Sequence, residues 1–383
     1  RLCDCLNKQF IKTILVAIFM GLTVSAEEII RDRKILKRES FLNLSWNSYL
    51  VSKLSILFLL SAIQTLSFVI VGHLILEIRE MTFAFWLVLF TSSCLANVLG
   101  LNISSAFNSA VTVYVMIPLL LIPQMILSGL LFSFDKLNNI LSTKGKVPVV
   151  ADFMASRWAY EAMAVYQFKN NSFEDPYFDF DKYESQADFK AAYIAEELKR
   201  KQESIFRNYK SQDPENLSQA KSDLQIVKNE LAKLDFKEGL QDMDVQNLSI
   251  ESYSPDIDQK LSGYLQKLKK HYQGVYNKIV SAKEQKMFQL GEDENYNLNE
   301  YKNKYFNESL ADLVQNVTET DRIIEFKGEL IQQYNPIFND PKPKHALDYR
   351  AHFFAPQKHF AGSYFGTFGF NIIVIWLMTA LLL

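Results

Sequence analysis

Cysteine is nearly missing from this sequence: Cys3, Cys5 and Cys94 are the only three in 383 residues, and the polar middle of the chain has none. A disulfide framework is thereby excluded for that middle region, which must hold together by packing alone. Cys3 and Cys5 stand too close together to make a metal site without further ligands nearby. An excess of one charge is missing too. The 41 Lys and Arg against 43 Asp and Glu leave a net charge of -2, with bases and acids interleaved, so no nucleic-acid partner is implied. There is no Gly-x-x-x-x-Gly-Lys-Ser/Thr phosphate loop, and the single Gly-Lys pair, Gly145-Lys146, lies in a segment without that pattern. No Ser or Tyr stands beside a His in a recognisable nucleophile turn, so no catalytic residue is assigned.

What is present is unevenly placed. Overall, 49% hydrophobic and 22% charged residues describe an ordinary soluble chain, but the average hides two unlike parts. Residues up to about Phe134, and again from Phe365, are dense in Leu, Ile, Phe and Val, whereas the middle is rich in Lys, Glu, Asp, Asn, Gln and Tyr. Phe10 to Val24 and Leu54 to Leu76 are each long and apolar enough for a membrane helix. Between them lies a charged segment holding Arg31, Asp32, Arg33, Lys34, Lys37, Arg38 and Glu39. A basic cluster in a short connection fixes that connection on the cytoplasmic side. Its apolar residues Ile29, Ile30, Ile35, Leu36 and Phe41 recur at helical spacing, which predicts an elbow helix over about 27–45 lying along the inner face of the membrane. A plain topology anchor is the competing reading.

The order of spans follows. The second, about Leu50 to Leu76, runs outward to the turn Glu77-Ile78-Arg79-Glu80; a third, about Phe83 to Ile103, returns to an inner turn at Ser104 to Asn108; and a fourth, about Val111 to Phe134, runs outward past Pro118 and Pro123. Polar Gln64, Asn97, Asn102 and Gln124 within the spans suit helix-to-helix hydrogen bonds. The stretch 135–169 reads as interfacial or re-entrant helices with Trp158 and Tyr160 at the boundary. Residues 170–359 read as a soluble helical extracytoplasmic insert. Within it, helices are expected after Asp213-Pro214, after Ser254-Pro255, through Leu298 to Val317, and from Ile323 to Tyr334. A last span occupies 360–383, and a chain that starts at Arg1 and stops in an apolar run reads as part of a longer protein. His345, His352 and His359 recur every seven residues, but Pro356 interrupts any helix that aligns them, so no metal is assigned. Asp175, Asp179, Asp181 and Glu184 read as a solvated turn rather than a calcium loop. The expected fold class is all-α: a polytopic transmembrane bundle over 1–134 with a large helical extracytoplasmic domain.

Two stretches together resemble the permease half of ABC-2 type exporters, in the ABCG or White-like branch. The first is Ser25-Ala26-Glu27-Glu28, Asp32-Arg33, Arg38-Glu39, then Ser48-Tyr49 with Lys53; Asp32 stands where that family more often has Glu. The second is Pro123, Ser128-Gly129-Leu130-Leu131, then Ser156-Arg157-Trp158-Ala159-Tyr160-Glu161-Ala162-Met163. The resemblance covers the membrane parts and not the polar middle. It implies that Glu28, Arg31, Asp32, Arg33, Arg38 and Glu39 couple the permease to a nucleotide-binding domain, fused upstream or on another chain, which carries the ATP and Mg. It implies a homodimer, or a pair with a related half-transporter, in a cell inner membrane. It also implies a substrate path past Met20, Thr23, Ile122, Met125, Leu130 and Leu131, the last two resembling an apolar plug. Apolar walls with few polar groups suit a hydrophobic or amphipathic substrate. The large cysteine-free middle domain is not inherited from that family, and a periplasmic partner is one expectation for it. The competing readings are a membrane-anchored receptor or interaction protein, and a transporter-like machine that does mechanical work on an envelope partner.

Overall fold

The structure is a computed structural model that describes residues 2–39, 45–129, 134, 144–236, 238, 248–291 and 297–383. It divides into two compact units, one made of Arg1–Asp175, Asn299–Val314 and Asp340–Leu383, the other of Pro176–Leu298 and Gln315–Asn339.

The first unit carries the apolar helices: α1 (Leu2–Ser25), the short charged α2 (Glu28–Glu39), α3 (Trp46–Leu76), α4 (Thr82–Ala106) and α5 (Ala110–Ile126). Among the described residues, three helical stretches are long and apolar enough to cross a membrane: Lys12–Arg38, which runs through α1 into α2, Trp46–Leu76 and Thr82–Ala106. The burial of α3 explains which solvent it suits. Its inward stripe is Leu57, Ser61, Thr65, Val69 and His73, every fourth residue, while Leu59, Ile63, Val71, Leu74 and Ile75 are exposed. Ser61, Thr65 and His73 face the protein together with Leu57 and Val69, while most of the large apolar side chains face out, the inverse of a water-soluble helix. Lipid supplies no hydrophobic drive between helices, so hydrogen bonds and close packing hold such a pair. Here Asn97 Nδ2 donates to Ser61 Oγ at 2.8 Å, Ser93 Oγ donates to the same oxygen at 2.9 Å, and Trp86 Nε1 donates to the Ala62 carbonyl at 3.1 Å. Helices α1 and α4 meet through glycines. A Cβ on Gly21 would stand 2.6 Å from the Ser93 carbonyl, and one on Gly100 would stand 3.1 Å from the Leu22 carbonyl.

The fourth span expected to reach Phe134 is a helix only to Ile126, ended by the Leu127 amide bonding the Pro123 carbonyl at 2.9 Å. The chain then reaches Gly129 at φ 87°, where a Cβ would strike Phe134 and Phe353 at 2.8 Å. Two helices follow, α6 (Val149–Asp152) and the almost fully buried α7 (Ala155–Lys169).

The second unit is built from α8 (Phe178–Asp188), a π-helical stretch (Phe189–Ile194), α9 (Ala195–Asn208), α10 (Pro214–Lys233) and α11 (Pro255–Gly291). The expected helix start at Asp213-Pro214 is there: Asp213 Oδ1 accepts from the Glu215 amide at 3.1 Å, with Pro at the first turn. Leu198, Ile205, Val227, Leu231, Leu261 and Leu268 form its core, each worth about 1.5–3 kcal/mol when taken out of water. Lys201 lies inside this core and joins α9 to α10, 3.0 Å from Asp223 Oδ1, and also pairs with Glu325. Burial draws its ammonium down, but the two carboxylates more than offset this and its pKa is raised. A folded value above the unfolded one means a contribution complete at neutral pH and lost as pH rises through about 10.5 and beyond. Lys201→Met is expected to leave Asp223 buried with no counter-charge and to cost about 3 kcal/mol, or roughly 6–12 °C in the melting of this unit. Differential scanning calorimetry of the whole chain at pH 7 and pH 11 checks both the loss and its pH dependence.

Three sequence expectations in the polar middle are corrected. Ile323 to Tyr334 is not a helix but an antiparallel hairpin, β1 (Ile323–Phe326) and β2 (Glu329–Gln332). Lys327 and Gly328 both have positive φ, 52° and 76°, the backbone that a two-residue hairpin turn needs, and the Ile-Ile run suits a strand. Leu298 to Val317 is two short helices, α12 (Leu298–Tyr305) and α13 (Glu308–Val314). Leu310, Ala311 and Val314 of α13 are buried, and α13 packs on α1 and α7 in the first unit. Finally, residues 340–366 also belong to the first unit. They include a second hairpin, β3 (Gln357–Phe360) and β4 (Ser363–Gly366), so the last helix, α14 (Thr367–Leu382), starts three residues after the expected Tyr364.

Candidate coupling site at the elbow

Two residues separate the end of α1 from the start of α2, whose first turn is capped from another helix. The amides of Ile29 and Ile30 both donate to Ser104 Oγ near the end of α4, at 3.1 Å each. Glu28 sits in the first turn of α2 and Lys37 and Arg38 in its last, each charge placed where the helix dipole favours it. Arg33 reverses the cap. Its guanidinium bonds Asn108 Oδ1 and donates to the carbonyls of Ser105 and Phe107 at 3.0 and 3.1 Å, satisfying the end of α4. A cation at a helix C-terminus also meets the negative end of its dipole.

The other side of α2 is tied to the start of α3. Lys53 Nζ lies 2.6 Å from Glu28 Oε2 and 2.7 Å from Asp32 Oδ2, and Tyr49 OH donates to Asp32 Oδ2 at 3.1 Å. Glu28 Oε1 also accepts from Arg31 at 2.5 Å. Of the residues singled out in the sequence, Glu28, Asp32, Tyr49 and Lys53 thus meet in one half-buried cluster, while Arg33 turns to the end of α4. Glu28, Asp32 and Arg33 face the bundle, whereas Arg31 and Arg38 are exposed. The Glu39 side chain lies outside the described residues. Sequence reasoning missed Ser104 and Asn108, which it took for a plain inner turn; two adjacent Ser ending an apolar run were the available signal.

The substrate-path residues separate. Ile122 and Met125 of α5 line an apolar groove of about 350 Å³ with Leu15, Val16 and Phe19 of α1. Met20 and Thr23 do not line it, and the Thr23 hydroxyl bonds the Phe19 carbonyl of its own helix at 2.9 Å. Leu130 and Leu131 lie outside the described residues. Gln124 holds α7 in place: its side-chain oxygen accepts from the Ser156 amide at 3.0 Å and its carbonyl from Ser156 Oγ at 2.5 Å.

A buried charge cluster, absent from the sequence reading, fixes α7 to α14 and β3. Lys358 Nζ sits 2.6 Å from Glu161 Oε1, and both side chains are fully enclosed, 1% and 0% exposed. Asn371 Nδ2 donates to Glu161 Oε2 and to the Trp158 carbonyl, both at 3.0 Å. Arg157 lies between Glu161 and Asp152, at 3.6 and 3.5 Å, over the Trp158 ring at 3.7 Å. Burial lifts the Glu161 carboxyl, but the Lys358 ammonium and the Arg157 guanidinium outweigh it and hold the group below the usual carboxylate range. His359, one of the three spaced histidines, is buried with Nδ1 3.2 Å from the Asp348 carbonyl.

Residues 9–168, from within α1 almost to the end of α7, match the family model of the ABC-2 type transporter. No curated protein and no solved structure was found to match. The matched stretch contains the elbow, the apolar groove and the Ser156 contact, and it supports a membrane protein that is the permease part of an ABC transporter. Permease domains of this kind work with a nucleotide-binding domain.

Proposed function

We propose that this chain is the permease of an ATP-driven exporter of the ABCG-like branch, moving a hydrophobic or amphipathic substrate out of the cytoplasm or the inner leaflet. The observation that carries this reading is the double grip of α2, through Ser104 and Arg33 to α4 and through Lys53 and Tyr49 to α3. A helix held in this way hands a displacement at its exposed face to two membrane helices at once, a rigid-body mode of switching. On this reading Arg31 and Arg38 meet a nucleotide-binding domain that binds ATP and Mg, and Glu28, Asp32 and Arg33 pass its movement on. The groove of Ile122 and Met125 forms half of a path completed by a second permease, a dimer in a cell inner membrane. The second unit, with its own core, is the extracytoplasmic part and docks a periplasmic partner or the departing cargo.

The test uses the full-length protein in lipid vesicles, with ATP hydrolysis and export of candidate lipids and drugs measured side by side. Arg38→Ala and Lys53→Met are each expected to lower export about tenfold or more, within the usual range of a coupling free energy, while ATP hydrolysis persists. A full-length protein that neither contains nor recruits an ATPase would leave the membrane-anchored receptor as the better reading.

A further inference from the structure

At the end of α3 away from the elbow lies a cavity of about 250 Å³, walled by Val69, Gly72, His73 and Ile75 of α3 and by Phe85 and Leu89 of α4. One imidazole is set into these apolar walls. His73 is 9% exposed, and its ring is fixed in place: Nδ1 lies 3.0 Å from Thr82 Oγ1, and the ring stands edge-on to Phe85 with centroids 5.0 Å apart. Its other nitrogen, Nε2, has no hydrogen-bond partner among the described residues. A buried polar atom left in that condition costs about 1–3 kcal/mol. Thr13 of α1 also lines the cavity and has a contact of its own. Beside the imidazole the space is open, since a Cβ on Gly72 would have no atom within 4 Å. Val71 and Ile75 line the cavity as well, and they are 56% and 74% exposed on the outward face of α3. In a membrane-spanning helix that face meets lipid, so the way in is from hydrocarbon rather than from water. The charged turn Glu77 to Glu80 follows at once, which sets the cavity near the edge of the apolar layer.

We infer that this cavity binds a neutral lipid that carries a hydroxyl, with its chain against Val69, Ile75 and Leu89 and its oxygen on His73 Nε2. The walls and the lipid-facing entrance select the chain. The ring selects the hydroxyl: Thr82 Oγ1 serves Nδ1 as donor or as acceptor, which leaves Nε2 the complementary role. A hydroxyl meets either one, whereas an ester or ether oxygen only accepts and an ammonium only donates. No Asp, Glu, Lys or Arg lines the cavity among the described residues, so a phosphate or carboxylate head has no counter-charge there. The site is separate from the groove of Ile122 and Met125 and from the elbow, and it does not rest on the coupling role.

Photoaffinity labelling of the full-length protein in lipid nanodiscs tests this, with a diazirine-bearing decanol as the probe and peptide mass spectrometry as the readout. Label is expected on α3 between Val69 and Leu76 and on α4 near Phe85. Unlabelled decanol is expected to compete about fivefold better than decane, the usual worth of satisfying one buried polar atom, and decanoate is expected not to compete. His73→Phe keeps a ring in place without its nitrogens, and there decanol and decane are expected to compete equally. Gly72→Val puts a side chain into the open space, and with a monodisperse size-exclusion peak it is expected to lose the label. Equal competition by decanol and decane in the wild type overturns the inference in favour of a crevice for any acyl chain, as does a decanol preference that survives His73→Phe in favour of a hydroxyl contact elsewhere. Label that persists in Gly72→Val overturns it in favour of lipid on the outer surface of α3. No label in the wild type means that protein side chains fill the cavity. None of these readouts uses ATP hydrolysis or export, so the coupling proposal stands or falls separately.

Discussion

Lys358→Met is expected to destabilise the first unit by about 3–5 kcal/mol, the largest single loss that the structure points to. The variant keeps the length of the side chain and removes its charge, so the Glu161 carboxylate stays enclosed with Arg157 at 3.6 Å as its remaining cation. That guanidinium is shared with Asp152 and lacks the short contact that Lys358 makes. A buried ion pair adds little over a well-packed apolar pair, but half of one is costly, because the desolvation of the remaining charge is no longer offset. The double variant Lys358→Met/Glu161→Leu should therefore recover more than half of the loss, leaving Arg157 and Asp152 as a balanced pair. Thermal unfolding of the full-length protein in lipid nanodiscs, run as a double-mutant cycle, measures this. A Lys358→Met melting curve that overlays the wild type would show that Glu161 is not enclosed as described. Because the folded pKa of Glu161 is depressed, its share of stability is present above about 4.5 and lost as pH falls through the folded value.

Gly21→Val is expected to destabilise the first unit and drive the protein to aggregate in detergent. Any Cβ at Gly21 meets the Ser93 carbonyl at 2.6 Å and Ala96 Cβ at 2.8 Å, and a backbone oxygen within a helix has no rotamer by which to withdraw. Helices α1 and α4 must then separate, which breaks the closest packing in a bundle that has no hydrophobic drive to restore it. Overpacking of this kind costs about 3 kcal/mol. Gly72→Val is the control, since no atom lies within 4 Å of a Cβ there. Size-exclusion profiles of the two variants from the same detergent extract should show a monodisperse peak for Gly72→Val and aggregate for Gly21→Val. Comparable peaks would mean that α1 and α4 do not touch at Gly21.

Where the sequence was readable, one local contrast made it so. The elbow stands out because Arg31, Asp32, Arg33 and Arg38 interrupt apolar runs, and Asp213-Pro214 because an N-cap and a first-turn proline are adjacent. Of Gln64, Asn97, Asn102 and Gln124, expected to bond between helices, the last three do, Asn102 to the Leu382 carbonyl at 2.7 Å, whereas the Gln64 side chain makes no such bond among the described residues. What stayed hidden depends on residues far apart in the chain. Glu161 and Lys358 are separated by 197 positions, and nothing in the run Gln357-Lys358-His359 links the lysine to a carboxylate so far back in the chain. The Ile323 to Gln332 hairpin hid for another reason: its Ile, Phe and Leu fit a helical face almost as well as two short strands, and only the Lys327-Gly328 turn tells them apart.

The mutual capping of α2 and α4 has a kinematic consequence. Pulling the two helices apart uncovers the amides of Ile29 and Ile30 together with the carbonyls at the end of α4, so the joint opens as a whole or not at all. Lys53 and Tyr49 add α3 to the same block, which removes the degrees of freedom that a sliding elbow needs. Arg33 carries the block past the end of α4, to Phe107 and Asn108 in the connection that leads into α5. Helix α5 is the wall of the apolar groove that carries Ile122 and Met125. On the proposed coupling role, a displacement of the block therefore reaches the wall of that groove through the Asn108 connection, without breaking any joint inside the block.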